Sequence, residues 1–426
     1  MTQVTDSRQI DPDFGLAVRL FDELAAATRV GRGIERISYG PGEAVAHRLM
    51  IAAAETLGLE CRIDAAANLY MTLPGRDRAA PYLMMGSHLD SVRQGGNFDG
   101  AAGVVAGLAV LSGFKAAGIT PAMDLTVMAI RAEEGAWFDV PYAGSRAAFG
   151  LLPPTALDTP RIDTGIGLAH YIAEAGGDPA SLARGVAMLD PRRVAAFLEV
   201  HIEQAPVLVE TGIPVGLVTG IRGYHRFVAA RTVGAYGHSG ALPRRSRRDA
   251  VAATVELLHR LDQVWADFEA AGRDLVFTTG VLTTDSAVAG ASKVPGQIDF
   301  AIDFRSLEPA VLTDCVELAR RHAAEIGAAH RVEMDFGEMS RSQPALLDAG
   351  LRERLGRHAA ALGIDTLEMP SGAGHDAAVF AASGVPTAML FVRNENGSHN
   401  PDEAMELADF ASAVRILMRF CVDGAA

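Results

Sequence analysis

Five separate stretches of the chain carry histidines and carboxylates, the side chains that bind divalent metal ions through nitrogen and oxygen. These stretches are Gly86-Ser87-His88-Leu89-Asp90, Asn97-Phe98-Asp99, Glu133-Glu134, Glu199-Val200-His201 and Ser398-His399. A set of nitrogen and oxygen ligands without thiolates is typical of a catalytic site for zinc or a similar divalent ion. Taken together, the five stretches hold enough ligands for two metal ions.

The first two stretches each have a plainer interpretation when considered alone. His88 follows an apolar run, and Asp90, two residues later, is a candidate to hold the second ring nitrogen of a metal-binding imidazole. A hydrogen-bonded structural histidine would show the same pattern. Asp99 stands at the start of a helix rich in glycine and alanine, where a carboxylate can also serve only as an N-cap.

The other three stretches are equally open when read one at a time. Glu133 and Glu134 follow an apolar run, so that one could bind metal while the other handles protons, or both could be a surface charge pair. Residues 197–204 alternate between apolar and polar side chains, which places Glu199 and His201 on one face of a strand, a face that could simply point to solvent. His399 lies in a turn-rich loop, where a single histidine usually has no chemical role.

The elements around these residues explain how they could meet. Residues 82–85 and Leu125–Ile130 are predicted to be buried strands, and residues 100–115 are predicted to be the helix between them. A strand, helix, strand unit of this kind builds a parallel sheet, and ligands gather where the strands end. Polar residues that directly follow such strands are therefore the first candidates for a site.

A region of different character interrupts this pattern. Residues 221–337 are predicted to form a separate layer of amphipathic strands and two helices, after which a helix, the buried strand Thr387–Val392 and a closing helix over 404–421 resume the first style. We therefore predict an α/β fold with a mixed, largely parallel sheet flanked by helices and an inserted α+β domain. The predicted domains are residues 1–220 with 338–426, and the insert 221–337.

Length and composition narrow the classes of protein. A chain of 426 residues exceeds the size of one hydrophobic core, and 49% hydrophobic residues exclude general disorder. A net charge of −14 makes nucleic acid and anionic membranes improbable partners. Three scattered cysteines, Cys61, Cys315 and Cys421, are too few for a disulfide framework and are expected to be buried thiols. Residues 1–14 lack the pattern of a secretory signal, so a cytoplasmic location is expected.

Six motifs, in order along the chain, connect these residues to a known family. The motifs are GSHLDSVRQGGNFDG, EEGAWF, EVHIEQAPVL, GHSGALPRRSRRDA, SGAGHDA and GSHNPDEAM. As a set they resemble the zinc aminoacylase and carboxypeptidase superfamily, and within it the hydantoinase/carbamoylase branch, over about residues 15–420. That branch contains N-carbamoyl-L-amino-acid hydrolases, allantoate amidohydrolases, ureidoglycolate hydrolases and beta-ureidopropionases.

The resemblance implies a role for each matching metal-site residue. His88 and His201 would bind one divalent ion, Glu134 and His399 would bind a second, and Asp99 would bridge the two. Glu133 would be the general base, with Asp90 as support for His88. The ions would be zinc, or manganese, cobalt or nickel.

The resemblance also implies roles in substrate binding. His238 of the insert would stabilise the developing oxyanion, and Arg305 would hold a substrate carboxylate through paired hydrogen bonds. Gln204 and His375 would contact the substrate. Ser292 stands where the family usually has an asparagine, and Lys293 follows it, so that the recognised end of the substrate is expected to differ. The family also implies a homodimer formed through the insert.

These expectations lead to one main function and three alternatives. The main hypothesis is a metal-dependent amidohydrolase that cleaves an N-carbamoyl or ureido C–N bond of a small carboxylated substrate. One alternative is an aminoacylase or dipeptidase-like hydrolase of acyl amides, which the same metals would serve. Another is a non-catalytic metal- or ligand-binding relative, which the presence of Glu133 argues against. Phosphate binding by the glycine-rich stretches is weaker, because no Lys-Ser/Thr pair follows them.

Overall fold

The computed structural model describes residues 10–424 and divides them into two compact units. The first unit comprises the described residues up to Thr219 together with those from Leu346 onward, and the second comprises Gly220–Ala345. The insert predicted from sequence ended at residue 337. The second unit extends beyond that point, because Met339–Ser342 forms a strand that pairs with Gly223–Val233.

A mixed sheet, nine-stranded within residues 10–424, is the centre of the first unit. Its strands are β3 (Glu60–Ile63), β4 (Leu69–Leu73), β5 (Tyr82–His88), β6 (Leu125–Ile130), β7 (Val194–Ile202), β8 (Val215–Ile221), β16 (Ala345–Leu346), β17 (Thr366–Ser371) and β18 (Thr387–Val392). The order is β16-β8-β18-β7-β5-β6-β4-β3, and β17 also pairs with β8. The mixed α/β sheet predicted from sequence is thus confirmed. Parallel pairing links the neighbours β18, β7, β5 and β6, whereas β8, β4 and β3 join antiparallel.

Helices surround this sheet, and two short ribbons complete the unit. The helices are α1 (Phe14–Thr28), α2 (Pro41–Thr56), α3 (Ala101–Ala116), α4 (Ala143–Ala148), α5 (Leu168–Glu174), α6 (Pro179–Ala183), α7 (Val207–Thr211), α10 (Ala349–Leu362), α11 (Asp376–Ala382) and α12 (Leu407–Gly424). The ribbons pair β1 (Arg29–Val30) with β2 (Gly33–Ile34), and β19 (Asn394–Glu395) with β20 (Ala404–Met405).

Helix α3 is buried on almost all sides, as its alanine- and glycine-rich sequence predicts. Its glycines allow close packing on the sheet. A Cβ atom on Gly103 would lie 2.5 Å from the carbonyl oxygen of Val200, and one on Gly107 would lie 2.6 Å from Cγ2 of Val127. This tight contact places the residues just before α3 over the ends of the central strands.

The second unit has an antiparallel sheet covered by two long helices, an α+β arrangement. Its strands are β9 (Gly223–Val233), β11 (Val276–Thr283), β13 (Gln297–Ser306), β14 (Glu333–Asp335) and β15 (Met339–Ser342), and its helices are α8 (Ala250–Ala270) and α9 (Pro309–His330). Burial alternates along the whole of β13, so one face packs in the core and the other does not. A separate ribbon pairs β10 (Gly237–His238) with β12 (Lys293–Val294).

Two expectations about local structure are wrong. The closing helix begins at Leu407 and not at residue 404, because Ala404–Met405 pairs with Asn394–Glu395. Cys315 and Cys421 are buried thiols, but Cys61 is exposed at the edge strand β3.

The structure also bears on the expectations about membranes and location. Among the described residues, no helix combines the length and the apolar character needed to cross a membrane. Most of the N-terminal stretch from which a cytoplasmic location was expected lies outside the described residues, so that expectation stays a prediction.

Candidate metal centre

The metal-ligand candidates of the first unit meet at one edge of the sheet. His88 is the last residue of β5, Glu133 and Glu134 follow β6, His201 is the second-last residue of β7, and His399 follows β18 and β19. The carboxyl ends of parallel strands lie at the same edge, so strand polarity alone brings these loops together. Sheet order then makes β6, β5, β7 and β18 neighbours.

Asp99 lies between two groups of these side chains. Its Oδ1 atom is 3.4 Å from Nε2 of His88 and 3.3 Å from Nε2 of His201. Its Oδ2 atom is 3.6 Å from Nε2 of His399, and that nitrogen is 3.3 Å from Oε1 of Glu134. Within each group the candidate ligand atoms lie within 4.8 Å of one another. One carboxylate therefore presents a different oxygen to each group.

Hydrogen bonds on the far side of two imidazoles select the tautomer that can bind metal. Nδ1 of His88 is 3.1 Å from the carbonyl oxygen of Asp90, and Nδ1 of His201 is 2.9 Å from that of Ile202. A carbonyl only accepts, so each Nδ1 carries the proton and each Nε2 keeps its lone pair toward Asp99. The donor set therefore fits a divalent cation in each group.

Electrostatics show that this cluster attracts positive charge. Burial alone would lower the pKa of His88, but the carboxylates of Glu133, Asp90 and Asp99 outweigh it and raise that pKa well above its usual value. For Asp99, burial opposes ionisation, yet His201 and His88 hold its pKa well below the ordinary range. Such a cluster stabilises a bound proton or cation.

Asp90 holds the loop that carries the two glutamates. Its Oδ1 accepts the backbone N–H of Glu133 at 3.0 Å, and its Oδ2 accepts that of Glu134 at 3.2 Å. The preceding N–H, of Ala132, donates to Glu43 at 3.0 Å. Asp90 thus contacts His88 and both glutamates, whereas the sequence had connected it only with His88.

Glu133 and Glu134 are buried and are not the surface charge pair considered above. They are only 7% and 8% exposed. Burial raises the pKa of Glu133 well above its usual value, and the neighbouring charge of Glu134 adds to this while His88 opposes it. Oε2 of Glu133 is 3.8 Å from Nε2 of His88. Glu133 is therefore a buried carboxylate beside the ligands, suited to proton transfer.

Two further plain interpretations are wrong. Gly100 occupies the N-cap of α3, and Asp99 does not cap that helix with its side chain. The polar face of β7 does not point to solvent, since Glu199, His201 and Glu203 are each 1% exposed. These buried groups are engaged: Glu199 accepts from the hydroxyl of Ser87 at 2.6 Å, and Glu203 from the N–H of Leu208 at 2.8 Å.

Gln204 and His375, both expected to contact the substrate, lie in different surroundings in the structure. The amide nitrogen of Gln204 donates to Oδ2 of Asp99 at 2.9 Å, within the cluster. His375 is 1% exposed, with its ring centroid 4.5 Å from that of His201 and Nε2 2.9 Å from Oγ of Ser371. Its ring thus packs against that of His201, and the substrate contact expected of it stays a prediction.

A cavity of about 150 Å³ opens onto the cluster. Its lining includes the five ligand candidates, Glu133 and Gln204 together with Gly135, Pro141, Tyr142, Ala373 and Gly374. Tyr142 has a left-handed backbone (φ 58°), which is unusual for a bulky side chain and is often found at functional sites. The sequence did not single out Tyr142, since nothing local signals its conformation.

Glu403 is a second residue near the centre that was not predicted from the sequence. Its Oε1 accepts the N–H of Phe98 at 2.8 Å and that of Asp99 at 3.3 Å. Burial, and then the charge of Asp99, raise its pKa to about 7. The hydroxyl of Ser398 bonds both Asp99 and Glu403. Its place in the motif GSHNPDEAM was the available signal.

The remaining candidates lie in the second unit. Register pairs His238 with Lys293, and the N–H of Ser239 donates to the carbonyl of Ser292 at 2.8 Å, so His238 and Ser292 are close. Nδ1 of His238 accepts the N–H groups of Gly240 and Ala241, each at 3.2 Å. Arg305 is the second-last residue of β13 and donates to Oδ2 of Asp303 at 3.0 Å.

Comparison with known proteins identifies the family of this chain. The family model described as peptidase family M20/M25/M40 matches residues 84–423. The chain belongs to this family. The M20 chain is 34% identical over 404 residues to an N-carbamoyl-L-amino acid amidohydrolase of Geobacillus stearothermophilus, covering 94% of this chain and 96% of the relative. It is 31% identical over 394 residues to an allantoate amidohydrolase of Escherichia coli strain K12, covering 90% and 91%.

This M20 chain is also similar to solved structures in its fold. A hydantoinase/carbamoylase family amidase from Burkholderia ambifaria matches with a TM-score of 0.86 at 28% identity, over 98% of each chain. The resemblance inferred from the six motifs is therefore confirmed. The chain is a hydrolase that acts on amide C–N bonds. Family membership and the two ligand groups together suggest that it binds divalent metal ions.

Proposed function

We propose that this chain hydrolyses an N-carbamoyl or ureido C–N bond of a small carboxylated substrate and uses two divalent metal ions per chain. The observation that carries the proposal is Asp99, whose two carboxylate oxygens face separate ligand groups while Glu133 lies beside them. The named activities of the relatives from G. stearothermophilus and E. coli support this choice of substrate class.

The candidate site residues of the first unit have the following roles in this proposal. His88, His201 and Asp99 would hold one ion, and Asp99, Glu134 and His399 the other. Divalent ions in such a site act as Lewis acids and lower the pKa of water from about 15.7 to about 7. Glu133 takes a proton from the attacking water and gives it to the leaving nitrogen, because an amide nitrogen leaves poorly until it is protonated. Gln204 contacts the substrate beside Asp99.

The second unit supplies groups for the substrate in this proposal. Because backbone N–H groups donate to Nδ1 of His238, the proton of its neutral imidazole is on Nε2. In this proposal that N–H donates to the oxygen that gains charge in the transition state. Arg305 holds the substrate carboxylate. Ser292 and Lys293 replace the asparagine that is usual in the family. The carboxylate end of the substrate is therefore bound by a hydroxyl and an ammonium group.

The assembly is part of the same proposal. We infer a homodimer formed through the second unit, which also acts as a lid. The edge strand β11 supports this, since Val281 and Leu282 are 47% and 48% exposed there. Light scattering of the purified protein tests the dimer, and a mass of one chain would contradict it.

The experiment is a substrate panel with several metals. N-carbamoyl amino acids, allantoate, ureidoglycolate and N-acetyl amino acids are each assayed after chelation and after addition of zinc, manganese, cobalt or nickel. We expect ammonia release from a carbamoyl or ureido substrate that chelation abolishes and one of these metals restores. Turnover that resists chelation would refute the metal mechanism. Release of a carboxylic acid and an amine from the acetyl substrates alone would show the acyl-amide hydrolase instead.

A further inference from the structure

Arg36 is a fully buried cation close to the candidate metal centre. It lies between β2 and α2 and is 0% exposed. A buried charge is costly unless hydrogen bonds and opposite charges compensate it. The carboxylates of Glu403, Asp99 and Asp90 act favourably on the guanidinium. The compensation available to Arg36 therefore comes from the residues of the centre itself.

The guanidinium joins two segments that carry candidate ligands. Its Nε donates to the carbonyl of Leu89 at 2.6 Å, directly after His88. On its other side the two terminal nitrogens donate to Oδ1 and the carbonyl of Asn97, each at 3.3 Å, and to the carbonyl of Asp99 at 3.5 Å. One planar guanidinium group thus connects the end of β5 with the loop before α3.

Geometry, and not charge, is what this arrangement can contribute to metal binding. The charge of Arg36 repels a divalent cation, so any benefit must come from the planar fork of donors. The 3.4 Å between Nε2 of His88 and Oδ1 of Asp99 depends on how these two segments are placed. A lysine ammonium, compact and on a flexible stem, cannot donate along all of these directions.

We propose that Arg36 is a positioning residue that holds His88 and Asp99 at the separation needed to share a metal ion. This inference rests on the metal centre of the proposed function. Residues that orient metal ligands from outside the ligand set typically change metal affinity by about 10- to 100-fold when they are replaced.

The test compares Arg36→Lys with the wild type and with a matched control. Arg161 is also a buried arginine of the first unit, 6% exposed; it donates to Asp163 at 2.7 Å, and its guanidinium lies 4.0 Å from the centroid of the Tyr171 ring. Affinities for Zn²⁺ and Co²⁺ are measured on the full chain by competition with a chromophoric chelator, and the visible spectrum of bound Co²⁺ is recorded. We expect Arg36→Lys to weaken binding about 10- to 100-fold and alter the spectrum, and Arg161→Lys to do neither.

Three results would overturn the inference. A folded Arg36→Lys variant with wild-type affinity and spectrum would refute it alone and leave the proposed function standing. A wild-type chain without affinity for either ion would refute the proposed function and this inference together. If Arg36→Lys does not fold by circular dichroism, Asn97→Ala is measured, which removes one acceptor of the fork. We expect weaker binding there too, and an unchanged affinity would overturn the inference.

Discussion

Glu133 and Glu134 allow the proposed division of labour to be tested with the same substitution at neighbouring residues. Both are buried, and both backbone N–H groups donate to Asp90, so glutamine at either residue keeps the size of the side chain and the loop contacts. Glu133→Gln removes the carboxylate charge and with it the ability to accept a proton. Loss of a general base typically lowers the rate about 10²- to 10⁴-fold, which corresponds to about 3 to 5 kcal/mol of transition-state stabilisation.

Glu134→Gln is expected to act on metal binding instead. Oε1 of Glu134 lies 3.3 Å from Nε2 of His399, inside the second ligand group. An amide is a neutral and poorer ligand, so affinity for one ion should fall by at least the roughly 10- to 100-fold seen for residues that only support a ligand. Glu133→Gln should retain the metal content of the wild type.

The assay combines ammonia release with elemental analysis. Values of kcat and KM are measured for the best carbamoyl substrate at saturating metal, and bound metal is counted after dialysis. For Glu133→Gln we expect a large fall in kcat with little change in KM. If this variant kept more than about a tenth of the wild-type kcat, or lost metal as Glu134→Gln does, the assignment of Glu133 as the base would be wrong.

Three further predictions concern single residues. Burial and then the charge of Arg131 hold the pKa of His47 well below its usual value. Below about pH 6.5 the unfolded chain therefore binds a proton that the folded chain does not, and the free energy of unfolding should fall by about 1.4 kcal/mol per pH unit. His47→Leu should flatten this slope when thermal unfolding is measured across pH. Gly100→Ala should weaken Zn²⁺ binding, because at φ 67° its Cβ would lie 2.4 Å from the His88 ring. The control Gly118→Ala, at the same φ with nothing within 4 Å of the added Cβ, should lower the stability of the fold without changing Zn²⁺ affinity. Equal Zn²⁺ affinities of the two variants would contradict this. Ser292→Asn should raise kcat/KM for N-carbamoyl amino acids if the missing amide limits specificity, and an unchanged value would show that it does not.

Local sequence patterns predicted several strands and helices of the fold. The apolar runs Leu125–Ile130 and Thr387–Val392 are strands with the predicted bounds, because a fully buried strand needs a continuous apolar sequence. The glycine and alanine content of α3 likewise predicted its burial. Helices α1 and α2 were not predicted, and the closing helix starts later than predicted, since its first residues pair as a strand with Asn394–Glu395.

The sequence by itself determined the chemistry available: imidazoles and carboxylates at strand ends, without thiolates, in motifs that place the chain in its family. Only the tertiary structure decided that Asp99 presents one oxygen to each ligand group and that Arg36 and Glu403 support its loop. These contacts join residues far apart in the chain, such as Ser398 and Asp99, which are 299 positions apart. Sequence periodicity reports which face of an element is buried, whereas the order of strands in the sheet decides which distant loops meet.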